Sequence, residues 1–158
     1  MTYFDASALA KRYVRETGSQ VVRRLLAEGV AATSRLSEVE VASAIARRAR
    51  EGALSAEQRD RLLAALTDDV PAMAVVELTS DVAAEARSLL RKHALRAGDS
   101  IQLASGLYLQ RQLARPVRFV VYDERLATAA RAEGLRVVGA RGAASLRSPG
   151  RASRGSSS

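Results

Sequence analysis

Four acidic residues stand out by their surroundings: Asp5, Glu40, Asp99 and Asp123. Asp5 directly follows the short apolar run Tyr3–Phe4, and Asp123 directly follows the valine-rich run Val117–Tyr122. Each then opens a segment with helical spacing. In an open parallel sheet, ligand sites lie beyond the carboxyl ends of the strands. Both side chains therefore enter one crevice if their strands are neighbours. Asp99, preceded by Arg96, Ala97 and Gly98, heads a third helical run. Glu40 lies inside a long helical run among Leu36, Val39, Val41 and Ala44. A charge in such company is costly unless it is paired or metal-bound.

Each acid also has a plain structural explanation. Aspartate is a favoured N-cap, and Glu40 has Arg47 and Arg48 nearby on the same helix. Capping does not require the three helix starts to converge, however. Converging carboxylates with no histidine among them favour a hard cation, Mg²⁺ or Mn²⁺, held by one or two direct carboxylates and completed by water. Without a cation, the like charges would repel. Such an ion activates water and offsets charge developing on a phosphate. The single histidine, His93, closes the run Arg91-Lys92-His93 and is expected to be exposed rather than catalytic. There is no P-loop and no G-x-G-x-x-G, which argues against nucleotide-fuelled and dinucleotide chemistry. The lack of cysteine excludes a thiolate metal site, a thiol nucleophile and disulfides. Glu38 competes with Glu40: helical spacing puts the two on different faces, and periodicity leans only slightly to Glu40.

The elements that must position these acids alternate between short strands and helices. Helical spacing covers Ala6–Glu16, Gln20–Glu28, Leu36–Glu51, a segment from Ser55 to Thr67, Ser80–His93, Asp99–Gln112 and Asp123–Glu133. Ser55 with Gln58 forms a capping-box pattern. Strands are expected at Tyr3–Phe4, Val30–Thr33, Ala74–Leu78, Val117–Tyr122 and Leu135–Val138. This alternation predicts an α/β layer fold with a parallel sheet. The folded unit is expected to span 1–139. Residues 140–158 are rich in Arg, Gly and Ser and are expected to be a disordered tail. The chain of 158 residues carries a net charge of +8, four of it from Arg141, Arg147, Arg151 and Arg154 in that acid-free tail. Arginine-rich surfaces suit polyanions. With no signal peptide and no apolar stretch long enough to span a membrane, a cytoplasmic location without membrane contact is expected.

At this point the sequence resembles the PIN-domain nucleases, specifically the VapC-type toxins of bacterial toxin–antitoxin modules. The likeness runs from Thr2 to about Val138. TYFDASALAKRYVRETGS resembles the family's opening, with Asp5 as its first metal-binding acid and Ser7 as its small hydroxyl. TSRLSEVEVASAIARR resembles the second motif, and Glu40 matches its glutamate best. LRAGDSIQLASGLYL resembles the third, with Asp99 in the acidic place. FVVYDERLATAARAEGLRVV resembles the fourth, with Asp123 in the last acidic position. The resemblance implies a three-layer α/β/α domain with a central, mainly parallel sheet. It implies Mg²⁺- or Mn²⁺-dependent endonucleolytic cleavage of RNA by a metal-activated water. Asp5 and Asp99 are then the main metal ligands, Glu40 and Asp123 complete the cluster, and Ser7 orients a ligand or water. It further implies a homodimer and a cognate antitoxin that blocks the acidic pocket.

Two other classes compete. A non-catalytic RNA- or protein-binding domain could keep the same fold. An aspartyl-phosphate phosphotransferase would use Asp5, but such enzymes commonly carry a second acid where Ser7 stands here.

Overall fold

The computed structural model describes residues 1–139. The chain runs β1 (Thr2–Phe4), α1 (Ala6–Tyr13), α2 (Ser19–Ala27), β2 (Ala31–Ser34), α3 (Arg35–Arg50) and α4 (Ala56–Asp69). After a 3₁₀ turn (Val70–Ala72) come β3 (Ala74–Val76), α5 (Ser80–Lys92), α6 (Ala97–Leu113), β4 (Arg118–Val121), α7 (Glu124–Ala132) and β5 (Arg136–Gly139). The strands form one sheet in the order β3-β2-β1-β4-β5. Every neighbouring pair is parallel.

That order places the site. The chain travels outward from β1 through β2 to β3, then crosses back to lay β4 and β5 on the other side of β1. Crossovers between parallel strands are right-handed, so reversing the direction of travel moves the later helices to the opposite face. The crevice beyond the ends of β1 and β4 is therefore the topological switch point, where open α/β sheets bind ligands.

Successive strand residues point to opposite faces, and both faces are covered. Phe4 and Val120 pack with Leu9, Val22, Ile45 and Leu66 from α1 to α4. Tyr3, Phe119 and Val121 pack with Val82, Leu89, Leu103 and Leu126 from α5, α6 and α7. The result is the expected three-layer α/β/α arrangement, with a sheet that is parallel throughout. Burial on both faces explains why the strands read as near-continuous apolar runs. Tyr3 and Phe119 stack with ring centroids 5.1 Å apart. At Gly106, α6 lies so close that an added Cβ would stand 2.7 Å from the Phe119 ring.

Several boundaries differ from expectation, for local reasons. Helix α1 stops at Tyr13 rather than Glu16. The Glu16 N–H is taken by Ser19 Oγ at 2.9 Å, and its carboxylate turns back to Lys11 Nζ at 3.1 Å. Helix α3 starts at Arg35, capped by Ser34, whose Oγ accepts from Leu36 N at 3.3 Å. The Ser55–Gln58 capping box is present, and α4 continues to Asp69 rather than Thr67. Strand β3 ends at Val76 rather than Leu78. His93 is not free in solvent: its Nε2 lies 2.7 Å from Glu133 Oε1 and ties α5 to the end of α7. The predicted tail, 140–158, lies outside the described residues. Among the described residues, no helix is long and apolar enough to cross a membrane.

Candidate active site

Asp5 terminates the central strand and starts α1. Its N–H donates to Val120 O of β4 at 3.1 Å, which locks it to the neighbouring strand end. Its Oδ1 caps α1 by accepting from Ala8 N at 2.7 Å. Ser7 Oγ donates to the same carboxylate, 2.8 Å from Oδ2. The residue is only 4% exposed. Burial pushes its carboxyl up to about 7, opposed by the Ala8 and Ser7 hydrogen bonds and reinforced by the charges of Glu40 and Asp99. Asp5, Glu40 and Asp99 thus share one electrostatic environment.

Glu40 reaches this site from the second turn of α3, and α6 receives it. Gln102 Nε2 donates to Glu40 Oε2 at 2.7 Å. The other carboxylate oxygen lies against Gly98, where an added Cβ would stand 2.7 Å from Oε1. Burial pushes the Glu40 carboxyl up, and the charge of Asp99 pushes it further, while the Gln102 bond works the other way. Glu38 takes a different direction and pairs with Arg35 at 2.6 Å. Of the two glutamates that periodicity left open, Glu40 is the one that interacts electrostatically with Asp99.

Asp99 is the third residue of α6 rather than its opener, because the helix begins at Ala97. Its Oδ2 accepts from the Arg96 N–H at 3.3 Å, the backward half of a capping box. Asp123 caps α7 by accepting from Leu126 N at 2.9 Å. It is exposed and stands just past β4. Burial raises the phenol of its neighbour Tyr122, and the charge of Asp5 adds to that rise. A cleft of about 580 Å³ opens beside Glu40, lined also by Ser7, Glu16, Ser43, Arg47 and Arg96.

Behind the acids lies a buried polar network that sequence reasoning missed. Gln102 is 2% exposed. Its Oε1 accepts from Tyr3 Oη at 2.7 Å, and its Nε2 lies 3.0 Å from Ser37 Oγ. Ser37 Oγ in turn lies 2.7 Å from Thr33 Oγ1, which lies 2.8 Å from Phe4 O. The available signal was a lone glutamine beside Leu103 and Ala104, one turn after Asp99.

The PIN domain family matches residues 2–132. Ribonuclease VapC45 of Mycobacterium tuberculosis (strain CDC 1551 / Oshkosh) is 40% identical over 145 residues, covering 87% of this chain and 94% of that protein. The chain belongs to the PIN-domain family. Its VapC-type character rests on the same relative. Two solved PIN-like structures agree on the fold. The crystal structure of M. tuberculosis VapC20, described as a Sarcin-Ricin loop cleaving toxin, has a TM-score of 0.63 at 18% identity. It covers 85% of this chain and 96% of that one. A toxin–antitoxin complex from Klebsiella pneumoniae gives a TM-score of 0.58 at 20% identity, covering 87% and 96%. In this PIN domain, all four acids singled out from the sequence fall inside the matched segment.

The donor set suits a hard cation. Among the described residues, no group of three or more His, Cys, Asp or Glu side chains forms a ready-made metal cage. Mg²⁺ does not need one, because it usually keeps several waters and takes one or two carboxylates. Asp5 is buried and faces two further acids with no cationic partner in its hydrogen-bond set. That unbalanced negative charge is what a bound divalent ion would offset.

Proposed function

We propose that this PIN domain is a divalent-cation-dependent endoribonuclease, the toxin of a toxin–antitoxin pair. The observation that carries the reading is the buried Asp5 carboxylate at the switch point, with Glu40 and Asp99 beside it. The 40% identity to a protein named as a ribonuclease supports it.

In this reading Asp5 and Asp99 are the principal ligands of Mg²⁺ or Mn²⁺, and Glu40 and Asp123 complete the acidic set directly or through water. The ion would supply a more acidic water and a counter-charge for the phosphate. The chain's own residues do the positioning. Ser7 Oγ, bonded to Asp5, fixes the rotation of that carboxylate. Capping through Ala8 and the Val120 bond hold it against the strand ends. Arg47 and Arg96, on the walls of the cleft, are placed to hold phosphate oxygens without reading sequence. The partner expected is an antitoxin protein, supported by the fold shared with the Klebsiella complex. A homodimer in the cytoplasm completes the proposal.

The test is cleavage of RNA by the full chain with Mg²⁺ or Mn²⁺, compared with chelated controls. Asp5→Asn and Asp99→Asn should each abolish cutting while leaving the protein folded. RNA bound but uncut with both ions would instead indicate a binding module.

A further inference from the structure

We infer that Gln102 is a positioning residue that presents an N–H to Glu40, its orientation dictated by a relay of hydrogen bonds beginning at the Phe4 carbonyl. A carbonyl oxygen only accepts, so the Thr33 hydroxyl, 2.8 Å from Phe4 O, must donate to it. That hydroxyl has a single proton, so the short contact with Ser37 Oγ at 2.7 Å requires Ser37 to donate to Thr33. Ser37 has then spent its own proton on the shorter contact, so its longer approach to Gln102 Oε1, at 3.4 Å, holds no proton, and Ser37 can only accept from Gln102 Nε2, across 3.0 Å. The Gln102 amide must therefore turn its NH₂ end towards Ser37. The second proton of that NH₂ points at Glu40 Oε2, 2.7 Å away. At the other end, Tyr3 Oη donates to Gln102 Oε1 at 2.7 Å.

Flipping the amide would aim Oε1 at the Glu40 carboxylate and leave the Ser37 contact without a proton. Gln102, Thr33 and Ser37 are buried, so water does not readily replace a lost partner. The relay starts at the residue before Asp5 and ends on Glu40. It thus couples the orientation of one acid to the backbone that carries the other. Gly98, one turn before Gln102 on α6, provides the space into which the other oxygen of Glu40 fits.

The inference rests on the proposed reading that Glu40 belongs to the cation-holding set. Its test is Mn²⁺ binding to the metal-free full chain by calorimetry, without RNA. Gln102→Met keeps volume and removes both hydrogen-bonding ends. Thr33→Val keeps shape and removes the proton that polarises the relay, at a position that makes no hydrogen bond to Glu40. Both should weaken Mn²⁺ binding about tenfold or more. Thr33→Ser should bind within about twofold of wild type, since it restores the hydroxyl. In RNA cleavage, Thr33→Val should lower kcat with KM little changed.

A folded Thr33→Val protein that binds Mn²⁺ as wild type does would overturn the relay. If both variants fail to fold, the wild-type protein still decides. The Gln102 side-chain amide signal should exchange slowly and shift when Mg²⁺ is added, and an unmoved signal would overturn the inference. Wild-type protein that binds Mn²⁺ but cuts no RNA removes the ribonuclease reading and leaves the affinity test standing. Wild-type protein that binds no Mn²⁺ removes both.

Discussion

At the scale of single residues, Asp5 combines two demands that conflict. As a cap it accepts from Ala8, and as an acid it is buried beside like charges. Its carboxyl is raised to about 7 from 3.8, so the fold binds a proton there more tightly than the unfolded chain does. The stabilising contribution is complete below about pH 4 and is lost as pH rises through about 7. The shift corresponds to at most roughly 4 kcal/mol. Metal-free protein should therefore become more resistant to urea between pH 8 and pH 5, and Asp5→Asn should flatten that slope, since asparagine caps a helix equally well. Adding Mg²⁺ should raise the urea midpoint more at pH 8 than at pH 5, because the ion competes with that proton. A midpoint independent of pH in the wild type would contradict the burial argument. Glu133 has the opposite sign: the His93 bond holds its carboxyl low, so its contribution fades as pH falls further.

At the scale of elements, α6 does most of the arranging. Gly98, Gln102 and Gly106 fall at intervals of one turn, on one face. They admit Glu40, bond Glu40 and admit the Phe119 ring respectively. Gly98→Ala puts a methyl group 2.7 Å from Glu40 Oε1, the movable end of a long side chain. The variant should fold at least as stably, since alanine favours helix by up to ~1 kcal/mol, yet lose RNA cleavage about tenfold or more if Glu40 serves as proposed. Thermal melts run alongside cleavage assays check both halves. Gly106→Ala should behave differently, because the Phe119 ring is packed and cannot swing away. It should lower the melting temperature, with an overpacking cost of about 1–3 kcal/mol. Helical periodicity is only partly informative over this segment. α6 is buried over much of its circumference, with Ser100, Gln102, Leu103 and Ser105 inside and Ile101 and Tyr108 half-buried. A helix enclosed by a sheet and three other helices loses the polar face on which period analysis depends. That is why Gln102 went unseen. Strand ends followed by Asp5 and Asp123, in contrast, were legible because apolar runs and capping acids are local signals.

At the scale of the whole molecule, the alternating pattern was enough for the architecture, because parallel strands separated by helices admit few arrangements. Strand order was not legible. It depends on which strands bury each other's faces, and that information is spread over the entire chain. Charge is also a property of the whole. Four of the eight net positive charges lie in residues 140–158. Deleting that segment should weaken RNA binding at low salt and make its dependence on salt concentration shallower, with the cleavage position unchanged. Binding measured on an inactive Asp99→Asn background across a salt series reads this directly. An unchanged slope would place RNA contacts on residues 1–139 alone.

The placement of β4 beside β1 has a consequence for synthesis. The N–H of Asp5 finds its partner only at Val120, on a strand made near the end of the described chain. At about 5–20 residues per second, Asp5 emerges from the ribosome on the order of ten seconds before that partner exists. Until then β1 is an open edge, and the crevice lacks one wall. On the proposed reading, a nascent chain lacks that wall of its active centre until translation of the domain is nearly complete.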